Sequence, residues 1–328
     1  MHALLLTDGW PHEQGLAGAD AVAAVASSCW SATRPLDTVA SIALGDGGPR
    51  SADVLSDLEQ IAPGVDGARV GSTLVLAPAD SSSRWDPRAL GEALVALARQ
   101  STRTETSIVI PVGDTDPAGD ATQLWAQTSA AELRNACMTL PIEVLVTSDK
   151  PLLGLKGMSS VLRDGREADA AIALAAQHQE RRWSDIAREV DALAPANLLG
   201  PARLSDAPGT GCATGLAYCL AGVGAKVNRA SARLAEISGA SHEAADFVLA
   251  ITPEVTPAQL DHGIAAAASS LAARRGVPCA ILSPQVWVGR RDLMAAGVVA
   301  AHEGTPGMDH LADHVVRVCH TWSPASNA

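Results

Sequence analysis

Hydrophobic residues along this chain gather in short continuous runs, each stopped by a small, polar or acidic residue. Six stand out: residues 4–6 before Thr7-Asp8-Gly9, 40–44 before Gly45-Asp46-Gly47-Gly48, 108–112 before Gly113-Asp114, 144–146 before Thr147-Ser148-Asp149, 247–251 before Thr252-Pro253-Glu254, and 280–282 before Ser283-Pro284. Runs of this length and shape predict buried parallel strands. A further strand is expected at 74–76. Helix-like patterns fall between the runs, at 17–29, 51–61, 87–99, 118–134, 177–193, 212–222, 229–237 and 257–275. Residues 63–67 (Pro-Gly-Val-Asp-Gly) mark a turn, and 80–83 and 194–208 read as loop. Residues 168–174 fit either strand or helix.

Strand and helix signals alternate over the whole length, which predicts an α/β protein. The first and last thirds look like regular parallel α/β units, and the middle is less regular. The expectation is two α/β domains. One is discontinuous, built from residues 1–72 plus 240–328 around a parallel sheet; the other is inserted at 73–239. Ligands of open α/β sheets sit beyond the carboxyl ends of the strands. The acids there are the first candidates for chemistry: Asp8, Asp46, Asp114, Asp116, Asp149 and Glu254. Each also fits a plainer role, because Asp commonly caps turns and helix starts.

Charge narrows the partners. The formal net charge is −12, and the only lysines are Lys150, Lys156 and Lys226. Nucleic acids and acidic membrane surfaces need a basic face, so neither is expected to bind. The six cysteines are scattered without a Cys-x-x-Cys pair, which predicts free thiols rather than a disulfide frame or a zinc site. The first residues carry no basic leader pattern, and the alanine-rich stretch 263–273 is too short to span a bilayer. A cytoplasmic protein is expected. His310 and His314 stand one helical turn apart but lack the Glu of a zinc-protease motif, so they read as part of a surface helix. Trp10, at a strand end, is a candidate to line a ligand site.

The strongest local motif is Pro208-Gly209-Thr210-Gly211-Cys212-Ala213-Thr214-Gly215. Glycines let backbone amides turn inward and hold an anion. No lysine follows, so it is not a Walker loop, and no apolar run precedes it, so it is not a dinucleotide fingerprint. A tight turn with close helix packing is the alternative.

With its continuation through Leu216 and then Val223-Gly224-Ala225, this segment resembles the Pro-Gly-Ala-Gly-Ala-Ala-Gly-Gly-Leu…Leu-Gly-Ala motif of the glycerate kinase family. Asp46-Gly47-Gly48 followed by Asp53-Val54-Leu55 is similar to that family's Asp-Gly-Gly-Glu-Gly-Thr-x-Asp-Ala-Leu. Residues 151–157 resemble its Asn-Pro-Leu-x-Gly-x-x-Gly, and residues 245–254 its Ala-Asp-x-Val-Ile-Thr-Gly-Glu-Gly. The shared order extends over nearly the whole chain. The departures are specific. The lysine of the opening Pro-Asp-Ser-Phe-Lys-Gly-Ser-Leu is missing, although Asp8 is kept. Pro49 stands for the Glu after Asp-Gly-Gly, with Arg50 beside it. In the loop corresponding to Gly-Gly-Ser-Ala-Thr-Asn-Asp-Gly-Gly, Thr115 and Gly119 fit, while Asn-Asp becomes Asp116-Pro117. Glu254 fits Thr-Gly-Glu-Gly-Arg-Leu-Asp, but the Arg and the final Asp are gone.

The resemblance implies two α/β domains with a site in a cleft between them. It also implies ATP- and Mg²⁺-dependent phosphorylation of D-glycerate or a similar small hydroxy acid. Asp8, Asp46, Glu254 and Asp116 would then be catalytic, with Asp46 and Glu254 holding Mg²⁺. Gly47, Gly48, Arg50, Thr115, Gly119, Lys150, Gly209, Gly211 and Gly215 would bind substrate or phosphate. The implied partners are a nucleotide and a glycerate-like acid, with a homodimer open. The missing charges leave a competing reading, a catalytically degenerate member that senses a ligand or binds a partner. A nucleotide-dependent enzyme acting on another small acid is a third.

Overall fold

The computed structural model describes residues 1–13, 15–79, 84–100, 106–163, 169–194 and 200–323. The expected loop at 80–83, Ala168 and residues 195–199 of the expected 194–208 loop fall outside them. The chain divides into two compact units, Met1–Gly47 with Ala230–Ala328, and Gly48–Arg229.

The first unit opens with β1 (His2–Thr7), the short hairpin β2 (Trp10–His12) and β3 (Gly15–Ala17), helix α1 (Ala19–Thr33) and β4 (Thr38–Ala43). The second unit follows with β5 (Glu59–Ala62), β6 (Val65–Val70), β7 (Thr73–Pro78), α2 (Pro87–Gln100), β8 (Ser107–Pro111), α3 (Ala130–Cys137) and β9 (Ile142–Val146). It continues through α4 (Met158–Arg163), α5 (Ala170–Val190), α6 (Leu216–Gly222) and β10 (Lys226–Arg229). The chain then completes the first unit with α7 (Ala230–Ile237), β11 (Phe247–Ile251), α8 (Pro257–His262), α9 (Ile264–Arg275), β12 (Cys279–Ser283), α10 (Arg290–Ala295), β13 (Ala300–Glu303) and α11 (Met308–Trp322).

The first unit's sheet runs β13-β12-β11-β1-β4, with every pairing parallel. Among the strands of this sheet, β1, β4 and β11 come first, second and third along the chain. Sheet order therefore reverses direction between β1 and β11. Doubly wound sheets place their ligand crevice at such a switch point. Successive side chains on a strand face opposite ways. Ala3, Leu5, Phe247, Leu249, Ile251, Ala280 and Leu282 form one core with Val22, Ala26 and Trp30 of α1 and Leu311, Val315 and Val318 of α11. The intervening Leu4, Leu6, Val248, Ala250 and Ile281 are equally buried, and α9 packs on that face. Phe247, the chain's one phenylalanine, stacks on Trp30 at 5.9 Å and Trp322 at 4.8 Å. Trp10 belongs to this core too. It is fully buried and its indole N–H donates to Gly307 O at 3.2 Å, so it packs rather than lining a site.

The second unit's sheet runs β10-β9-β8-β7-β6-β5. The strands β7 to β10 are parallel, and β6 and β5 add as antiparallel neighbours. Residues 59–61, expected as the end of the helix 51–61, thus belong to the edge strand β5 of a hairpin closed by Pro63-Gly64. Residues 59–70, expected in the first domain, hydrogen-bond into this second sheet. The expected helix 118–134 breaks in two. Asp120 caps a short 3-10 turn, and Ser129 and Glu132 form a reciprocal capping box that starts α3 afresh. The expected helix 257–275 also divides, at the extended backbone of Gly263. Among the described residues no helix is long and apolar enough to cross a membrane.

Candidate functional site

In the first unit, β1 ends in two buried polar residues. Thr7 donates its hydroxyl to Ala19 O at 2.7 Å, which ties the strand end to the start of α1. Asp8 is only 6% exposed, and its Oδ1 accepts from Gly9 N at 2.6 Å. Burial pushes its carboxyl up to about 7. The Gly9 amide opposes that shift, and the negative charge of Asp46 adds to it. No cation is among these influences. Asp46 follows β4, the strand beside β1, and Leu44 N donates to Thr7 O at 2.9 Å, keeping the two strand ends level. Glu254 follows β11 on the other side of β1, and its carbonyl accepts from Thr252 Oγ1 at 3.3 Å. Asp8 and Glu254 therefore follow the two strands that flank the switch point. Gly47, with φ +81°, closes the turn after Asp46.

The second unit also gathers polar groups at its strand ends, but by different means. Asp114 follows β8 and Lys150 follows β9; Lys150 Nζ and Asp114 Oδ2 are 2.7 Å apart. The other Asp114 oxygen accepts from Ala213 N at 3.0 Å, and Gly211 N donates to Lys150 O at 2.9 Å. Thr214 donates its hydroxyl to Asp116. The Asp116 and Pro117 carbonyls accept from Arg84 Nε and Nη2 at 3.0 and 2.8 Å. The glycine-rich segment is thus clamped from three sides.

Its backbone needs the clamps. Ala213, Thr214 and Gly215 have φ of +52°, +49° and +89°, three left-handed residues in succession. An L-residue there costs roughly 1–2 kcal/mol. Two glycines are fixed by crowding as well. A Cβ at Gly211 would stand 2.3 Å from Pro151 O, and one at Gly215 would meet the Trp183 ring at 2.5 Å. Trp183 is in turn buried edge-on against Tyr218 of α6, whose hydroxyl donates to Asp191 at 2.8 Å. Gly209 has φ +80° and lies against Val146 and Val227.

The remaining sequence candidates have local duties. Arg50 donates to Asp53 and to Pro78 O, both at 2.7 Å. The Gly48 carbonyl accepts from Ser51 N at 3.0 Å and from Ser51 Oγ at 2.8 Å. Thr115 N donates to Val112 O at 3.3 Å, closing a turn after β8. Gly119, with φ +150°, leads into the Asp120 cap. Asp149 pairs with Arg229 at 2.8 Å. Among the described residues no three His, Cys, Asp or Glu side chains gather as a metal cage. His314 is buried, and its Nε2 accepts from Thr305 N at 2.6 Å, so it has a packing role, while His310 is exposed on the same helix.

Residues 106–321 match the glycerate kinase family. The chain belongs to that family. The match includes Lys150, the 209–215 turn and Glu254, and leaves Asp8, Asp46 and Arg50 outside it. The fold is similar to a crystal structure described as "putative glycerate kinase 2 from Salmonella typhimurium LT2", with a TM-score of 0.63, 17% identity, and coverage of 98% of this chain and 96% of that one. Two uncharacterized proteins, one of Mycobacterium bovis and one of Mycobacterium tuberculosis, are each 32% identical over 164 residues. That alignment takes in 49% of this chain, and the chain spans 41% of the length of each relative.

Sequence reasoning put Asp114 among the strand-end acids but gave it no place in the glycerate kinase site, and it missed Ala213, Thr214 and Arg84. One signal existed for Thr214. The glycerate kinase motif has Gly at that position, which is where the structure adopts a positive φ.

Proposed function

We propose that this glycerate kinase family member transfers the terminal phosphoryl group of ATP to a hydroxyl of D-glycerate or a similar small hydroxy acid. The observation that carries the reading is Asp8, a buried carboxyl held at about 7 at the end of the first unit's central strand. A general base works best when its pKa lies near the working pH. Ionised Asp8 would take the proton of the acceptor hydroxyl as that oxygen attacks the terminal phosphorus and the bond to the leaving ADP oxygen breaks. Burial keeps Asp8 basic, and the negative charge of Asp46 adds to the effect. A small acid would sit beyond the carboxyl ends of β1 and β11, where sheets of this kind bind their ligands.

Phosphoryl transfer is mostly positioning and charge neutralisation. Mg²⁺ commonly uses one or two carboxylates and leaves its other positions to water and substrate phosphates. Asp46 and Glu254, which follow the strands on either side of β1, are the carboxylates we assign to it, which leaves Asp8 to act as the base. When bound, Mg²⁺ would neutralise charge on the phosphate oxygens. Lys150 is the basic group we assign to phosphate, in place of the family's early lysine. An ammonium has three donors, and the Asp114 contact uses one.

Calorimetric titration of the full chain with Mg-ATP, with and without D-glycerate, tests the reading alongside a coupled assay for ADP release. Nucleotide binding and glycerate-dependent ADP release are expected. Folded protein that binds no Mg-ATP would overturn the kinase reading. Binding with turnover of other hydroxy acids only would overturn the choice of glycerate.

A further inference from the structure

We propose that Asp114 is a positioning residue, whose carboxylate fixes the Lys150 ammonium relative to the left-handed 213–215 turn so that Lys150 can bind a phosphate oxyanion. The inference rests on the kinase reading for the identity of that anion, and on the second unit's geometry for the rest.

One Asp114 oxygen meets Lys150 Nζ at 2.7 Å and the other accepts the Ala213 amide at 3.0 Å. A single planar group therefore sets the distance between a flexible side chain and a strained backbone. Lysine is a point charge on a four-carbon stem and loses much rotamer freedom when it is held. The Asp114 side chain is one-third exposed and that of Lys150 one-fifth, so the pair is reachable by solute without being fully solvated. The backbone on both sides of Lys150 is tied as well. Gly211 N holds its carbonyl, and Lys150 N donates to Ser148 Oγ at 3.2 Å.

The turn is held at a second point. Ala213 and Thr214 pay for positive φ without being glycine, and such residues persist only where the surroundings over-determine them. Asp114 on the Ala213 amide and Asp116 on the Thr214 hydroxyl are those surroundings. Both carboxylates stand where a metal or catalytic role was expected of strand-end acids. Their contacts are with a cation, an amide and a hydroxyl belonging to the chain. Asp114 thus acts through Lys150 and the turn, not on the reacting atoms.

The test uses the full-length chain and two readouts. Mg-ATP affinity is measured by calorimetry, and limited acetylation of Lys150 is compared with that of Lys156 and Lys226 by peptide mass spectrometry. Asp114→Asn keeps an oxygen for the Ala213 amide but removes the charge facing Lys150. It is expected to weaken Mg-ATP by about 10- to 100-fold, the worth of a hydrogen bond to a charged group. It should also raise Lys150 acetylation relative to the other two lysines. Asp114→Glu should restore part of both. In the Lys150→Met background, Asp114→Asn should cost nothing further. Equal or tighter Mg-ATP binding by Asp114→Asn, or losses that add in the double variant, would overturn the proposal. Unchanged Lys150 acetylation would overturn it whatever the nucleotide does. A wild-type chain that binds no Mg-ATP but shows the acetylation response would support the positioning role and sink the kinase reading alone.

Discussion

Acids stand at the carboxyl ends of parallel strands in both units, yet they solve opposite electrostatic problems. In the first unit, Asp8 is buried with a second acid nearby and no cation to offset its charge, and its carboxyl rises to about 7. In the second, Asp114 carries a lysine and a backbone amide, and Asp116 carries a threonine hydroxyl. The same place in two sheets thus yields a carboxyl with a raised pKa in one and a paired lysine in the other. Strand-end position supplies convergence of groups. Burial and partners decide what the convergence can do.

The sharpest way to break this contrast is to neutralise Asp8. Asp8→Asn is expected to lower turnover by about 10²- to 10⁴-fold, the usual worth of a general base. Its effect on stability should have the opposite sign. The folded carboxyl titrates at about 7 against an ordinary 3.8, so the folded chain holds an extra proton between those values. Stability therefore falls as pH rises through that window. Asp8→Asn removes the penalty. Its stabilisation in urea melts should grow from about pH 4 to about pH 8, to at most about 4 kcal/mol at about 1.4 kcal/mol per unit. A variant equally stable relative to wild type at both pH values would remove the poised acid from the account.

Lys150→Met addresses the other side of the comparison. It is expected to lower turnover by about 10²- to 10³-fold, as for other single oxyanion stabilisers. Next comes the turn itself. Asp116→Ala should cost about 1–2 kcal/mol in a denaturant melt, because Thr214 would keep its positive φ without its latch. In the Thr214→Gly background that cost should largely vanish, since the strain and the hydroxyl are both absent. The smallest effect is a control placed away from both clusters. Ser129→Ala removes the α3 capping box for about 1 kcal/mol and should leave Mg-ATP affinity unchanged.

Much of the architecture was legible from apolar runs alone. All six became strands, five of them central and both-face buried enough to erase any alternation. The edge strand β5 was not legible. Glu59-Gln60-Ile61-Ala62 has two exposed polar residues, and its pairing is set by the hairpin that follows. Strand β10 was hidden for a similar reason, as Lys226-Val227-Asn228-Arg229 sits at a sheet edge with exposed ends. Helix interruptions at Ser129 and Gly263 are not legible because helix-compatible sequence on both sides continues the helical pattern. For the sites, the strand-end acids could be named in advance, but their partners could not. Asp114 meets Ala213 across 99 positions of sequence, a contact that only the sheet order creates.

The central claim is that Asp8 titrates near neutrality, and a ¹³C NMR titration of aspartate carboxyls in wild type and Asp8→Asn tests it most directly. One resonance with a midpoint of about 7, absent from the variant, is the expected result. Wild-type aspartates that all titrate below about pH 5, in the ordinary carboxylate range, would contradict it.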